Sequence, residues 1–258
     1  MAKNTRIKQI QSLLELHGSV DITALSRKLN VSEMTIRRDI NSLVNQGFAV
    51  RTHGGATLPK QRYISDIYLD SRFQVHVAEK NAIARAAVAE ISPGDSIFID
   101  DSSTATAIAG FLPNNIQLRV TTTSMWAALE FNKFPDIEVI TIGGLVSKTT
   151  KSSVGAKALD SLQSMYFMKA FIGIPYISVN GIITSKTFDE VAIKQMILQH
   201  TKQPILLMDS SKIHPEPLNI QFATIQDFSL IITDSNADTR FIDNCREKDV
   251  QIITVPIT

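Results

Sequence analysis

From Ser96 to Val255 short apolar runs alternate with helical stretches, and this alternation constrains the fold more than any other feature of the chain. Ser96–Asp100, Leu118–Thr121, Glu138–Ile142, Lys169–Ile174, Gln203–Met208, Leu230–Thr233 and Val250–Val255 read as strands. Thr104–Leu112, Ser124–Phe131, Ala156–Met165 and Phe188–Gln199 read as helices, and an Ala-rich helix over His76–Glu90 precedes them. Strands this uniformly apolar are buried on both faces, and helices between them supply the crossovers of a mostly parallel sheet. An α/β body is expected over residues 76–258.

Residues 1–58 follow a different pattern. Apolar residues at helical spacing (Ile7, Ile10, Leu13, Leu14, Leu16) predict a helix from Thr5 to Leu16, capped by Asn4 or Thr5 and stopped at His17-Gly18. A second short helix runs from Ile22 to Leu29 behind an Asp21 N-cap, with Ile22, Leu25 and Leu29 as its buried stripe. A third starts after Ser32, runs to about Gln46 and ends at Gly47. Phe48–Arg51 and the Gly54-Gly55 turn read as a small β-hairpin, or wing. Residues 59–75 are the expected linker, although Tyr63, Ile64, Ile67, Tyr68, Leu69 and Phe73 are very apolar for a free tether.

The charge distribution separates the same two parts. The first 58 residues hold eight Lys and Arg against four Asp and Glu, a net +4; the other 18 basic and 21 acidic residues leave −3. A basic head on a mildly acidic body suits two different partners. Nowhere does an uncharged apolar run approach the ~20 residues of a membrane span. The N-terminus lacks the apolar core of a signal peptide, and the single cysteine, Cys245, has no internal disulfide partner, so a reducing, cytoplasmic setting is expected. His76, His200 and His214 sit with no other metal-ligand types, so neither a metal nor a cofactor is expected.

On a helical wheel of the third head helix, Ile36, Ile40, Leu43 and Val44 share one face. Thr35, Arg38 and Ser42 lie opposite, flanked by Met34, Asn41 and Asn45. Two helices joined by a short turn, the second with adjacent arginines, are the pattern of a helix-turn-helix DNA reader. Its N-terminal end enters the major groove, which makes Met34, Thr35 and Arg38 the candidates for base edges: Arg38 for guanine O6 and N7, a Thr35 or Met34 methyl for thymine. Arg37 on the flank, and Arg51 and His53 on the wing, suit the phosphate backbone or minor groove. The bland alternative is a winged bundle that binds protein, with Asp39 pairing Arg38 or an arginine elsewhere.

In the body, four polar clusters each follow a strand: Asp101-Ser102-Ser103-Thr104, Thr121-Thr122-Thr123-Ser124, Gly143-Gly144 and Asp209-Ser210-Ser211-Lys212. Hydroxyls and backbone N–H groups at a helix start suit an anion. Asp100 or Asp101 would repel a phosphate but can accept from ligand hydroxyls. Each cluster alone is also an ordinary cap or turn. Together, beyond the C-terminal ends of the strands of an open α/β sheet, they argue for one pocket.

The stretch Val20–Asp39, with Ser32-Glu33-Met34-Thr35-Ile36-Arg37-Arg38-Asp39, then Leu43, Gly47, Arg51 and His53-Gly54-Gly55-Ala56, resembles the DeoR family of bacterial transcriptional regulators. Residues 76–234 look like the effector-sensing domain of that family, similar in fold to ribose-5-phosphate isomerase A. The resemblance rests there on Asp100–Thr104, Thr121–Ser124, Gly143-Gly144, Phe171–Gly173, Gly181–Thr184, Glu190, Asp209–Lys212 and Thr233-Asp234. It implies that Ser102, Ser103 and Thr104 hold a phosphate, that Thr121 and Thr123 line the sugar side, that Lys212 supplies positive charge, and that Lys186 and Glu190 border the pocket. Ser102 stands where the family commonly has glycine, and Thr123 where it often has asparagine.

The function so implied is a repressor of a carbohydrate catabolic operon. It would bind double-stranded operator DNA as a homo-oligomer and be relieved by a phosphorylated sugar or sugar alcohol. Two alternatives stand beside it: a sugar-phosphate isomerase with a DNA-binding head, with Glu190 as its general base, and a constitutive DNA binder whose body only oligomerises.

Overall fold

The structure, a computed structural model, describes residues 3–17, 19–45, 48–52, 54–57 and 72–257. The chain divides into two compact units, Met1–Phe73 and Gln74–Thr258. Most of the expected 59–75 linker lies outside the described residues, as do His53, Gln46 and Gly47.

The first unit holds helices α1 (Lys3–His17), α2 (Ile22–Leu29) and α3 (Glu33–Asn45) and strands β1 (Ser19–Asp21), β2 (Val50–Arg51) and β3 (Gly55–Thr57). Asp21 caps α2, its carboxylate accepting from the Ala24 N–H at 2.9 Å, and Asn30 ends α2 in the left-handed region at φ 52°. Ile10, Leu14, Ile22, Leu25, Ile36, Ile40, Leu43 and Phe48 form one core, so the predicted stripes of all three helices meet. Two details differ from expectation. Helix α1 starts at Lys3, which puts Asn4 and Thr5 inside it rather than at its cap. The wing has three strands in the order β1-β3-β2, because Ser19–Asp21 pairs with Gly55–Thr57. Gly55 permits that pairing: a Cβ there would fall 1.8 Å from the Val20 carbonyl oxygen.

The second unit is built on a seven-stranded parallel sheet in the order β16-β15-β12-β9-β4-β5-β6. These strands are β4 (Ser96–Ile99), β5 (Leu118–Thr122), β6 (Ile137–Thr141), β9 (Phe167–Gly173), β12 (Thr201–Leu207), β15 (Leu230–Asp234) and β16 (Ile252–Val255). Successive side chains along a strand point to opposite faces, and each face has its own core. Ile97, Ile99, Phe171, Ile205, Leu207 and Ile232 pack on α4 (Val77–Val88), α5 (Ser103–Thr106) and α6 (Met125–Phe131). Phe98, Ala170, Ile172, Leu206 and Ile231 pack on α7 (Ala156–Leu162), α8 (Phe188–Gln199) and α9 (Thr239–Glu247).

The expected Thr104–Leu112 helix is instead four α residues followed by a 3-10 turn over Ala107–Phe111. The Thr106 hydroxyl bonds back to the Ser102 carbonyl, and Pro113 holds Leu112 extended, so α-geometry does not propagate. The helix expected to reach Met165 stops at Leu162.

Several elements have no counterpart in the sequence reading. One is a hairpin of β7 (Leu145–Val146) and β8 (Ser153–Val154). Another is a second sheet, β13-β10-β11-β14, made of β10 (Tyr176–Ser178), β11 (Ile182–Ser185), β13 (Ile213–His214) and β14 (Ile220–Thr224). Helix α9 is the third. The two residues of β7, β8 or β13 carry no periodicity, β10, β11 and β14 mix polar residues among apolar ones, and α9 is mostly polar. Among the described residues no helix is long and apolar enough to cross a membrane.

Candidate functional site

In the head, packing the apolar face of α3 decides what the opposite face presents. Met34 is 62% exposed, Ser32 and Arg38 are exposed, and Thr35 and Arg37 are half-buried. Ser32 caps the helix: its hydroxyl lies 3.3 Å from the Thr35 N–H and 3.0 Å from the Thr35 hydroxyl. Glu33 accepts from the Thr23 hydroxyl at 2.7 Å and lies 3.7 Å from Arg37, which ties α3 to α2 and holds Arg37 to the flank. Asp39 is buried and pairs with Arg6 of α1, Nε to Oδ2 at 2.5 Å. Of the arrangements open to Asp39, the structure takes the one with a distant arginine. Hydrogen bonding to Asp39 raises the Arg6 pKa further, and Arg38 has no ion-pair partner among the described residues. Arg51 is exposed on β2. His53 lies outside the described residues.

In the body, β4 and β9 are neighbours in the sheet, but the chain leaves β4 toward β5 on one side and reaches β9 on the other. A crevice opens at such a switch point, outside the C-terminal ends of the strands. Asp100 stands there, at the end of β4, and is buried. Its Oδ1 accepts from the Ser102 N–H at 2.9 Å; its Oδ2 accepts from the Gly173 N–H at 2.8 Å and the Lys194 ammonium at 2.7 Å. Both oxygens are therefore engaged by the protein. Lys194 reaches down from α8, also donates to the Gly173 carbonyl at 2.9 Å, and lies 3.8 Å from Asp101. Burial works to discharge this lysine; Asp100, Asp101 and Glu190 outweigh it and raise its pKa.

Around this pair lies a cavity lined by Phe98, Asp100, Asp101, Thr123, Ser152, Ser153, Glu190 and Lys194, among others. Ser152 of the hairpin donates to Asp101 at 3.0 Å, and Glu190 accepts from the Ser185 hydroxyl at 2.5 Å. The cavity measures about 20 Å³, room for roughly one water molecule.

Of the residues expected at one pocket, the cavity brings together Asp100, Thr123 and Glu190. Ser102, Ser103, Thr104 and Thr121 stand at the same sheet edge without lining it. The Ser102 hydroxyl is spent capping α5, accepting from the Ala105 N–H at 3.0 Å, while Ser103, Thr104 and Thr121 are buried. Gly143 is exposed, and a Cβ there would meet nothing within 4 Å. Lys186 is exposed over the Tyr176 ring, 5.7 Å from its centroid. Lys212 lies 3.7 Å from Asp209 beyond β12, next to β9; Asp209 is buried and its Oδ2 has no hydrogen-bond partner among the described residues.

Sequence reasoning missed Lys194, Ser152 and Ser153, and read Asp101 as a charge that repels phosphate or an acceptor for ligand hydroxyls, not as a partner of Lys194 and Ser152. Lys194 carried a signal: it stands three residues from both Val191 and Ile197, on a stripe otherwise apolar. The serines carried none, because a two-residue strand places them. Among the described residues no group of His, Cys, Asp and Glu has the arrangement of a metal site.

Comparison with known proteins places the chain. Residues 6–62 match the DeoR-like helix-turn-helix domain and residues 75–235 the DeoR C terminal sensor domain, so the protein belongs to the DeoR family of transcriptional regulators. It is 32% identical over 253 residues to the uncharacterized HTH-type transcriptional regulator YulB of Bacillus subtilis (strain 168), covering 98% of this chain and 97% of that one. Over the same length it is 31% identical to the HTH-type transcriptional repressor GlcR of that strain, covering 98% of this chain and 96% of that one. It is 32% identical over 215 residues to the lactose phosphotransferase system repressor of Lactococcus lactis subsp. lactis, covering 82% and 84% of the two chains. Among solved structures it is similar to ribose 5 phosphate isomerase A from Neisseria gonorrhoeae, at 14% identity and a TM-score of 0.38 over 52% of each chain.

Proposed function

We propose that this protein represses a carbohydrate operon, binding double-stranded operator DNA through α3 and releasing it when a phosphorylated sugar enters the crevice at the β4/β9 switch point. The observation that carries the DNA half is the outward N-terminal face of α3, where Met34 and Arg38 project while Asp39 is buried with Arg6. Met34, Thr35 and Arg38 read base edges; Arg37 and Arg51 take phosphates. The relatives include lactose phosphotransferase system repressors, which supports a sugar-derived effector.

Inside the crevice, Thr123, Ser152, Ser153 and Glu190 offer hydrogen bonds to hydroxyls. The phosphate is assigned to the sheet edge outside the carboxylates, toward Ser103, Thr104 and Lys212. Because the cavity holds about one water, a sugar phosphate enters only by parting its walls. That displacement is the physical source of different affinities for the DNA-bound and DNA-free arrangements, without which a ligand shifts nothing. The body acts as a sensor rather than an isomerase: the relatives are named as transcriptional regulators, and the acid–base groups that share the cavity with Glu190 are tied to one another, Lys194 to Asp100 and Asp101 to Ser152, while Glu190 is bonded to Ser185.

The test is thermal unfolding of the full chain against a panel of sugar phosphates and the matching free sugars. A ligand at ~100 times its dissociation constant adds about 2.7 kcal/mol to the state that binds it, a shift of several degrees for a body this size. One phosphorylated sugar is expected to give that shift, and its free sugar is not. Equal shifts from both would remove the phosphate from the account.

A further inference from the structure

The β7–β8 hairpin supplies one wall of the crevice: Ser152, Ser153 and Val154 line the cavity. It holds its own shape. Strand β7 pairs with β8, the Ser147 N–H donates to the Ser152 carbonyl at 2.8 Å, and the Lys151 N–H donates to the Ser147 carbonyl at 3.0 Å. Separate bonds tie it to the crevice rim. The Ser153 N–H donates to the Thr123 carbonyl at 2.8 Å and the Met125 N–H to the Lys151 carbonyl at 3.1 Å, on either side of a bridge between Ser124 and Ser152. The Ser152 hydroxyl reaches further in and donates to Asp101 Oδ2 at 3.0 Å.

That hydroxyl is one of a pair. The Thr150 and Ser152 hydroxyls lie 2.6 Å apart, and both residues are buried. A hydroxyl has one proton to give. With the Ser152 proton on Asp101, Thr150 donates to Ser152, and the hairpin offers the carboxylate two adjacent hydroxyls in series. Neighbouring hydroxyls on a sugar ring offer the same group. We infer, on the reading of the crevice as the effector site, that the hairpin is a flap over it, and that its Thr150–Ser152 hydroxyl pair competes with two neighbouring hydroxyls of the effector for Asp101.

The surroundings suit such an exchange. The Asp101 side chain is 15% exposed and lies 3.8 Å from Lys194. Stripping a donor from a carboxylate so placed costs more than the hydrogen bond contributes, and trading hydroxyl for hydroxyl avoids that cost. The base of the hairpin supplies a hinge. Gly155 leaves β8 at φ 84°, and a Cβ at Gly144 would fall 2.8 Å from the Val154 carbonyl oxygen. A swing about these two positions breaks the bonds to Thr123, Met125 and Asp101 and keeps those inside the hairpin.

Two experiments on the full chain test this. Hydrogen exchange resolved by residue needs no ligand. The Met125 and Ser153 amides are expected to exchange together, faster than the amides of β4 and β9, and to speed up by ~10-fold or more in Ser152→Ala. Exchange of the two at the rate of β4 and β9, or rates unchanged in Ser152→Ala, would overturn the flap. The second experiment locks it. Ser124 and Ser152 face each other in an antiparallel bridge, whose Cα separation of about 4.5–5.5 Å suits a disulfide. Ser124→Cys with Ser152→Cys should hold the flap shut when oxidised and free it when reduced, and Cys245 is buried away from the exchange. In thermal unfolding against the sugar-phosphate panel, the reduced double variant is expected to shift with the same member as the wild type, and the oxidised form to lose that shift. Equal shifts in both forms would overturn the competition. A panel that leaves the wild type unmoved would count against the effector reading instead, and there, or should the double variant fail to fold, the exchange rates decide whether the hairpin opens.

Discussion

Arg38 and Asp39 are neighbours in sequence and opposites in environment. Asp39 turns inward to Arg6, which leaves Arg38 outside with no acidic partner among the described residues. If Arg38 reads guanine, Arg38→Ala should cost about 1–3 kcal/mol, a roughly 5- to 150-fold loss on the selected operator, and relax preference at one base pair. Arg37→Ala should instead weaken all sequences alike and reduce the salt slope by about 1. Competition binding with single-base operator variants separates the two, and a uniform loss in Arg38→Ala would return Arg38 to the phosphates. Cys245 is the opposite kind of residue, buried and inert. Burial pushes its thiol up to about 11, against a smaller lowering by Lys248. It should react with a thiol reagent near neutral pH only after denaturant is added; rapid reaction in native buffer would contradict that burial.

At the scale of elements, the switch point is held by two contacts that can be broken separately. The end of β9 meets the start of α5 at Gly173, where a Cβ would lie 2.3 Å from the Ser102 side chain. Gly173→Ala is expected to destabilise the body by about 1–3 kcal/mol. Ser102→Gly added to it should return most of that loss, and strict additivity in denaturant unfolding would show that the two do not touch. Helix α8 is pinned to β4 by Lys194. Lys194→Met leaves Asp100 and Asp101 without their buried cation, at a cost of about 3–5 kcal/mol. The raised lysine pKa sets the pH dependence. The pair contributes fully below the ordinary lysine value of 10.5, and the contribution is lost as pH rises through the higher folded value. The melting-temperature gap between wild type and Lys194→Met should therefore hold through the neutral range and narrow only in strong alkali. A gap that closes near neutrality would mean that the lysine is not held charged.

Across the whole molecule, legibility in the sequence followed periodicity. Strands β4, β5, β6, β9, β12, β15 and β16 were all visible as apolar runs, and α2 and α8 matched to the residue, because each carries apolar residues at helical spacing behind a side-chain cap. The second sheet and the β7–β8 hairpin were not, since β7, β8 and β13 are two residues long and β10, β11 and β14 mix polar residues among their apolar ones. The candidate site divides the same way. Asp100 and Thr123 directly follow strands and were legible from the pattern, and Glu190 came from the family resemblance alone; Ser152 and Ser153 arrive on the hairpin and were not legible. Gly143 was included because it follows a strand, and the structure leaves it exposed at the sheet edge.

The central claim is that occupancy of the body controls the grip of the head on DNA. It is tested most directly by titrating sugar phosphates into the full chain bound to a fluorescent duplex, chosen by selection from a random-sequence pool. The account predicts that one phosphorylated sugar lowers the anisotropy to that of unbound duplex while its free sugar does not, and that the midpoint moves in Thr123→Val. A complex that every sugar phosphate leaves intact, or one that the effector tightens, would contradict it.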